Sequence, residues 1–306
     1  MSDNSRKSSI YAQKVELLLR LIPIIMDEDV FAIHGGTGIN LFLKDLPRYS
    51  VDIDLTYIPL ADRQTSMDDI NMHLKSICNK AKRAFKDMHI VPNPNTCKLL
   101  CEQHGKQVKI EVNQTKRGII GGDVLTVPLS EKAQEEFSLY CEAKIVPLTL
   151  LYGGKIAAAL SRQHPRDLFD VRHMEYPLSK CHEGLIFCLL GSDRPIYESF
   201  APRLIDQRNA MENQFAGMTT IPFTYDEFET TRARLIDEVK DLMTEEDRNF
   251  LVSFESGQPE WNGYKYEHFK DYPSVQWKLL NLRKLAKHNP LKLQEEAGKL
   301  RHLFEN

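Results

Sequence analysis

The stretch Phe31–Leu55, FAIHGGTGINLFLKDLPRYSVDIDL, decides how the rest of the chain is read. It is entered by an apolar run, Val30–Ile33, breaks at Gly35-Gly36, and continues as an apolar-periodic segment from Ile39 to Leu46. After Pro47 the chain alternates as Ser-Val-Asp-Ile-Asp-Leu. This pattern predicts strand, glycine turn, helix, loop and strand. Side chains alternate across a strand, so Asp52 and Asp54 project to one face while Ile53 and Leu55 project to the other. Two carboxylates on one face repel each other unless a cation lies between them, and a divalent metal is the usual solution. The competing explanation is a solvated edge-strand face.

The glycine turn sharpens that reading. Gly35 and Gly36 let backbone N–H groups approach an anion, and the N-terminus of the following helix adds its positive dipole end. Thr37 either caps that helix or hydrogen-bonds a phosphate oxygen. Such turns are common alone. Beside Asp-x-Asp, a phosphate cradle and a metal pair would face each other across a short loop, as nucleotidyl transfer requires. There one metal acidifies the incoming hydroxyl and a second offsets the charge of the leaving pyrophosphate. Glu111 lies on the alternating run Val108–Asn113, sharing a face with Lys109 and Asn113. If that strand neighbours the Asp52 strand, Glu111 becomes a third metal ligand or a base; otherwise it is an ordinary outward-facing residue.

The 306 residues are enough for one large or two ordinary domains, and 42% hydrophobic and 27% charged residues fit a soluble globular protein. A net charge of -3 gives no global attraction to nucleic acid, so any polyanion site must be a local patch. The six cysteines form no C-x-x-C pair, which predicts reduced structural thiols in the cytoplasm. No signal core precedes residue 20 and no run reaches the ~20 apolar residues of a membrane span. The expectation is a cytoplasmic protein with no membrane partner.

Along the chain, residues 1–9 read as frayed and Tyr11–Asp27 as a helix kinked or ended at Pro23. Ala61–Ser66 reads as a loop, Asp68–Met88 as a long helix, and Lys98–Glu102 with Gln107–Val112 as a hairpin. Pro147 marks a change of character. Helical periodicity then dominates, at Thr149–Ser161, Pro165–Glu175, Ser179–Leu190, Tyr225–Leu242, Glu245–Phe254, Ser274–Ala286 and Leu291–Leu303. The expected division is therefore 1–147, a mixed catalytic lobe, and 148–306, a helical lobe.

Three features of the helical half carry chemistry. Gly153-Gly154-Lys155 is not a P-loop, because the upstream glycine is missing and Ile156 follows the lysine. Lys155 is read on a helix, where it reaches triphosphate oxygens or remains a solvated surface lysine. Pro165 starts a helix with Arg166 and Asp167 in its first turn, where Asp167 also serves to complement the helix dipole. Near the C-terminus, Lys278, Arg283, Lys284, Lys287, Lys292, Lys299 and Arg301 outnumber Glu295 and Glu296. With Trp277 and Tyr264-Lys-Tyr266 they suggest a phosphate-backbone surface with stacking aromatics. The alternative is a solvated face, with Trp277 filling a core beside Leu279, Leu280 and Leu282.

Taken in order, His34-Gly35-Gly36-Thr37, Arg48-x-Ser50-x-Asp52-Ile-Asp54, Lys155-Ile-Ala-Ala, Arg162 and Pro165-Arg166-Asp167-Leu-Phe-Asp170 resemble the AbiEii/AbiGii toxin nucleotidyltransferases. That family belongs to the DNA-polymerase-β-like nucleotidyltransferase superfamily. The resemblance implies an α+β fold: a polymerase-β-like core of mixed sheet with helices, then a mainly helical C-terminal lobe that completes the nucleotide site and contacts the acceptor. It implies Mg2+, with Mn2+ as the alternative, on Asp52 and Asp54, with Glu111 as a further ligand from strand parity. It assigns Gly35, Gly36, Thr37, Ser50, Lys155 and Arg166 to the nucleotide and makes Asp167 a further essential acid, with Asp170 as its rival. The implied function is a type IV toxin–antitoxin toxin active in phage defence. Its substrates would be an NTP and an RNA acceptor, the tRNA 3′ end, so that translation is blocked, and its partner a cognate antitoxin from an adjacent gene. Transfer to a protein or small molecule, and a non-catalytic binding module, are the alternatives.

Overall fold

The alternating segment after Pro47 forms a central strand of a seven-stranded mixed sheet. The strands are β1 (Phe31–His34), β2 (Asp52–Tyr57), β3 (His89–Asn93), β4 (Lys98–Gln103), β5 (Lys106–Val112), β6 (Leu125–Pro128) and β7 (Glu142–Ile145). Their spatial order is β3-β4-β5-β2-β1-β7-β6. β1 runs antiparallel to β2 and parallel to β7, whereas β2 runs parallel to β5. The computed structural model describes residues 3–305, with side chains from residue 7.

Burial on one face sets the sheet's orientation. Phe31, Ile33, Ile53, Leu55, Ile110 and Val112 are all buried, and each such side chain contributes roughly 1.5–3 kcal/mol. Helix α3 (Arg63–Ala84) covers that face. The Phe31 ring meets His73 edge-on at 6.0 Å, and the Tyr57 hydroxyl donates to Asp69 at 2.6 Å. Asp52 and Asp54 are thereby directed to the opposite face.

Local chemistry explains where elements begin and turn. α3 starts earlier than its apolar period suggests, because the Asp62 carboxylate caps it by accepting from the Thr65 N–H at 3.1 Å. The expected loop at Ala61–Ser66 is thus mostly helix. Helix α1 (Asp3–Met26) continues for almost a turn past Pro23. Residues 3–9, expected to fray, belong to α1, while residues 1 and 2 lie outside the described residues. The β4–β5 hairpin turns at His104 and Gly105, both at positive φ (50° and 71°), the twist that two-residue hairpin loops need. A short helix, α4 (Glu131–Phe137), precedes β7.

Two compact units result. One is the chain up to Pro147 together with Met211–Pro222, and the other is Leu148–Ala210 together with the chain from Phe223 on. The segment 211–222 falls within the expected helical half yet packs with the first unit. Its Thr219 hydroxyl donates to the Pro47 carbonyl at 2.7 Å, and its Met218 carbonyl accepts from the Tyr49 N–H at 2.7 Å. It therefore braces the loop that leads into β2.

The second unit is helical: α5 (Leu148–Arg162), α6 (Pro165–Arg172), α7 (His182–Leu190), the short α8 (Tyr197–Phe200) and α9 (Arg208–Ala210), α10 (Tyr225–Leu242), α11 (Glu245–Glu255), α12 (Pro273–His288) and α13 (Pro290–Glu305). The backbones of α5 and α7 touch. A Cβ on Gly184 would lie 1.9 Å from the Thr149 carbonyl oxygen, and one on Gly153 would lie 2.4 Å from the Gly184 carbonyl carbon. The Gly184 N–H donates to the Thr149 hydroxyl at 3.1 Å. Gly153 is thus a packing glycine. All six cysteines are buried and free, and among the described residues no helix is long and apolar enough to cross a membrane.

Because backbone, not a flexible side chain, fills the space at Gly184, Gly184→Ala is expected to cost about 3 kcal/mol through overpacking. Gly298→Ala on α13, where a Cβ meets nothing within 4 Å, is expected to gain up to ~1 kcal/mol. Urea midpoints that move in opposite directions for the two variants would bear this out.

Candidate functional site

The first unit gathers most of the residues singled out in the sequence. Gly35 has a φ of +76°, in the left-handed region that favours glycine, and a Cβ there would lie 3.2 Å from Asp54 Oδ2. The turn therefore lies directly against a β2 carboxylate. A Cβ on Gly36 would lie 2.7 Å from Arg48 Nη2 and 3.0 Å from Ser50 Oγ. The absence of side chains thus lets a guanidinium and a hydroxyl close on the turn. From the turn the chain enters a one-turn helix, Gly35–Thr37, that continues as a buried π-helical segment, Gly38–Leu43. Such segments recur at functional sites. Asn40, buried in it, donates from its side chain to the Gly36 carbonyl at 2.9 Å.

Thr37 does not cap the helix. Its hydroxyl donates to the Asp52 carbonyl at 2.5 Å and lies 3.1 Å from Ser50 Oγ, so it ties the turn to the start of β2. Arg48, only 4% exposed, donates to the Tyr49 carbonyl at 2.9 Å.

The strand condition for Glu111 holds. β5 is the parallel neighbour of β2, with Asp52 beside Lys109 and Asp54 beside Glu111. On the other side His34 is paired with Asp54, and beyond β5 Lys98 is paired with Glu111. The face thus carries the row His34, Asp54, Glu111, Lys98. The Glu111 carboxylate is engaged by two lysines, Lys98 Nζ at 2.9 Å and Lys109 Nζ at 2.8 Å. Burial pushes the Glu111 carboxyl up, but those ammonium groups outweigh it and hold its pKa below the usual value. For Lys109, burial opposes the charge, while Glu111, Asp52 and Asp54 together raise the pKa. Lys109 is thus a cation that the two β2 carboxylates feel. Among the described residues no group of three or more His, Cys, Asp or Glu side chains is arranged to hold a metal ion.

The second unit holds the remaining residues. Lys155, on α5, is 7% exposed and lies 3.1 Å from Asp167 and 2.8 Å from Asp170. It is a buried ion-pair centre, not a solvated surface lysine. Arg162 adds a second cation to Asp167 at 2.9 Å. Burial pushes the Asp167 carboxyl up, yet Lys155 and Arg162 outweigh it and hold its pKa below the ordinary value. Asp167 does lie in the first turn of α6, where Pro165 occupies the start and the His164 imidazole accepts from the Arg166 N–H at 3.2 Å. Arg166 itself is half-buried.

Arg48, Asn40 and Lys98 belong to this first-unit arrangement but were not assigned a role from the sequence. Arg48 shares the parity of Ser50, Asp52 and Asp54, which was a usable signal, though it sits in a loop just after Pro47. Lys98 was hidden because its relation to Glu111 arises only from the β4–β5 register.

The architecture is that of a nucleotidyltransferase toxin. It is similar to the solved structure of MenT4, a nucleotidyltransferase toxin from Mycobacterium tuberculosis H37Rv, with a TM-score of 0.58, 13% identity, and coverage of 92% of this chain and 94% of that one. At that identity the likeness speaks for the fold. Family membership comes from the sequence: residues 16–281 match the nucleotidyl transferase AbiEii toxins of type IV toxin–antitoxin systems, and the chain belongs to that family. No curated protein sequence matches it significantly.

The Lys155 centre makes a prediction about stability. Asp167 has a depressed folded pKa, so its contribution is present above the unfolded value of about 3.9 and is lost as pH falls through the folded pKa. Lys155→Met leaves two buried carboxylates short of a cation, at a cost of about 3–5 kcal/mol at pH 7. The gap between wild type and variant is expected to narrow as pH falls toward 4, where the variant's carboxyls protonate. Urea titrations at pH 7 and in mild acid read it out.

Proposed function

We propose that this nucleotidyltransferase toxin moves a nucleotide from an NTP onto an RNA hydroxyl, with the tRNA 3′ end as acceptor, and so blocks translation. The observation that carries the reading is the apposition of the glycine turn and β2: Gly35 stands at a left-handed φ of +76° with Asp54 Oδ2 only 3.2 Å from where a Cβ would be. An anion cradle and a carboxylate pair thereby share one small region.

The hard oxygens of Asp52 and Asp54 suit Mg2+ or Mn2+, and Mg2+ commonly keeps waters beside one or two carboxylates, so two acids suffice. On this face Asp52, Asp54 and Glu111 present hard oxygens beside Lys98 and Lys109, with Arg48 at the adjoining turn. When bound, the ion would acidify the attacking hydroxyl and offset charge on the leaving pyrophosphate. The backbone N–H groups at Gly35 and Gly36 receive phosphate oxygens, with Arg48 and Ser50 closing the turn behind them. Glu111 orients Lys109. Thr37 holds the turn to β2 through its hydroxyl. In the second unit, Lys155 and Asp167 act jointly: the pair fixes α6 on α5, and Arg162 and Arg166 are the more exposed cations of those helices. A cognate antitoxin, encoded by an adjacent gene, restrains the activity in the cytoplasm.

The test is to incubate purified protein with Mg2+, total RNA and each α-labelled NTP in turn. Label is expected in RNA with one NTP, to vanish with chelator, and to fall at least ~100-fold in Asp52→Asn and Asp54→Asn. RNA left unlabelled by a protein that also binds no nucleotide overturns the proposal. Label appearing in protein or in an added aminoglycoside selects another acceptor, and undiminished growth arrest by both variants selects a non-catalytic module.

A further inference from the structure

The C-terminal basic residues separate sharply once their partners are known. Lys278 is buried, lies 3.5 Å from the Glu255 carboxylate and donates to the Arg194 carbonyl. Lys292 and Lys299 on α13 are matched by Glu296 at 3.7 Å and Glu295 at 2.6 Å. Tyr264 is buried, stacks on Phe250 at 3.8 Å and donates to Asp247 at 2.9 Å. Lys278 and Tyr264 are thus withdrawn from any ligand, and the two α13 lysines already have carboxylate neighbours.

α12 differs. Its sequence, PSVQWKLLNLRKLAKH, contains no acid. Ser274, Val275, Lys278, Leu279 and Leu282 face inward, whereas Trp277, Leu280, Arg283, Lys284 and Lys287 are exposed. Of the two readings of Trp277, stacking aromatic or core residue, its 47% exposure rules out the second. Lys284 Nζ stands 5.7 Å from its ring centroid, so a cation already approaches the aromatic face. Among the described residues, Arg283, Lys284 and Lys287 have no ion-pair partner. Trp277, Leu280, Lys284 and Lys287 follow one another at three- and four-residue steps, which places them on one stripe. At 1.5 Å per residue the stripe is about 15 Å long, the span of two or three nucleotides of extended single strand.

We propose that this face of α12 docks the single-stranded end of the acceptor RNA. A base stacks on Trp277, and Arg283, Lys284 and Lys287 hold the adjoining phosphates. The inference rests on the RNA-acceptor reading above and adds where the acceptor is gripped. A purely electrostatic surface would not need an exposed indole among its cations. Interleaved aromatic and basic side chains are what single strands recognise, because every base has a stacking face and every linkage a negative charge.

The experiment measures binding of a short fluorescein-labelled oligoribonucleotide of mixed sequence across a salt series. Circular dichroism and thermal melts confirm that each variant is folded. Trp277→Ala is expected to weaken binding about tenfold. Reversing Arg283, Lys284 and Lys287 together to Glu is expected to abolish it near 0.1 M salt, and removing any one phosphate-binding cation should lower the log–log salt slope by about 0.7. Lys299→Glu, outside the face, is expected to stay within about twofold. The proposal is overturned if Trp277→Ala binds as wild type does, even where charge reversal alone weakens binding. It is equally overturned if both variants keep their RNA affinity but lose binding to the purified antitoxin, which would assign the face to a protein. Wild type that labels and binds RNA beside equally competent variants defeats this inference alone, whereas wild type that binds no RNA defeats the acceptor reading with it.

Discussion

The first unit depends on a conflict between like charges that hydrophobic burial imposes. Ile53 and Leu55 are buried on the α3 side of the sheet, as are Ile110 and Val112 on the neighbouring strand. Slipping either strand by one residue would bury carboxylates in that core, which is far more costly than crowding them on the open face. Asp52, Asp54 and Glu111 are therefore all directed to that open face. Lys98 and Lys109 both pair with Glu111, and Asp52 and Asp54 also act on Lys109, so the lysines moderate the repulsion.

The glycine turn is the second consequence of the same crowding. The Asp54 carboxylate lies close against Gly35, and Arg48 with Ser50 close against Gly36. These neighbours fix the turn from below and behind, while Asn40 holds the Gly36 carbonyl. The loop that brings Arg48 and Ser50 into place is itself held by the distant segment 211–222, through hydrogen bonds to the backbone of Pro47 and Tyr49. The turn is consequently held in place by its own neighbours.

The physical reach of each signal decides what was legible in the sequence. β2 and the β4–β5 hairpin were readable because period-two alternation and a Gly-containing turn are local signals, and α10 was readable from its helical periodicity, with a Thr224–Glu227 capping box at its start. The start of α3 was missed because Asp62, the residue that caps it, also looks like part of a polar loop. The attachment of residues 211–222 was invisible for a deeper reason: its bonds run largely through backbone carbonyls and N–H groups, which nearly every residue carries. Lys155 was found but its environment was not. A lysine on a helix reads the same whether water or Asp167 and Asp170 surround it, and only the fold brings α6 alongside.

The same pairing logic decides what net charge can say about this protein. Lys155 is balanced by Asp167 and Asp170, and Asp247 gathers His182, Lys265 and the Tyr264 hydroxyl. Lys278 meets Glu255, and the α13 lysines meet their own helix's glutamates. Each of these charges enters the total of -3 while projecting little field beyond its partner. An overall acidic balance therefore places no restriction on binding a polyanion. What matters is which cations remain after the internal pairs are removed, and on α12 Arg283, Lys284 and Lys287 remain together beside the one aromatic ring that the fold leaves open on that helix.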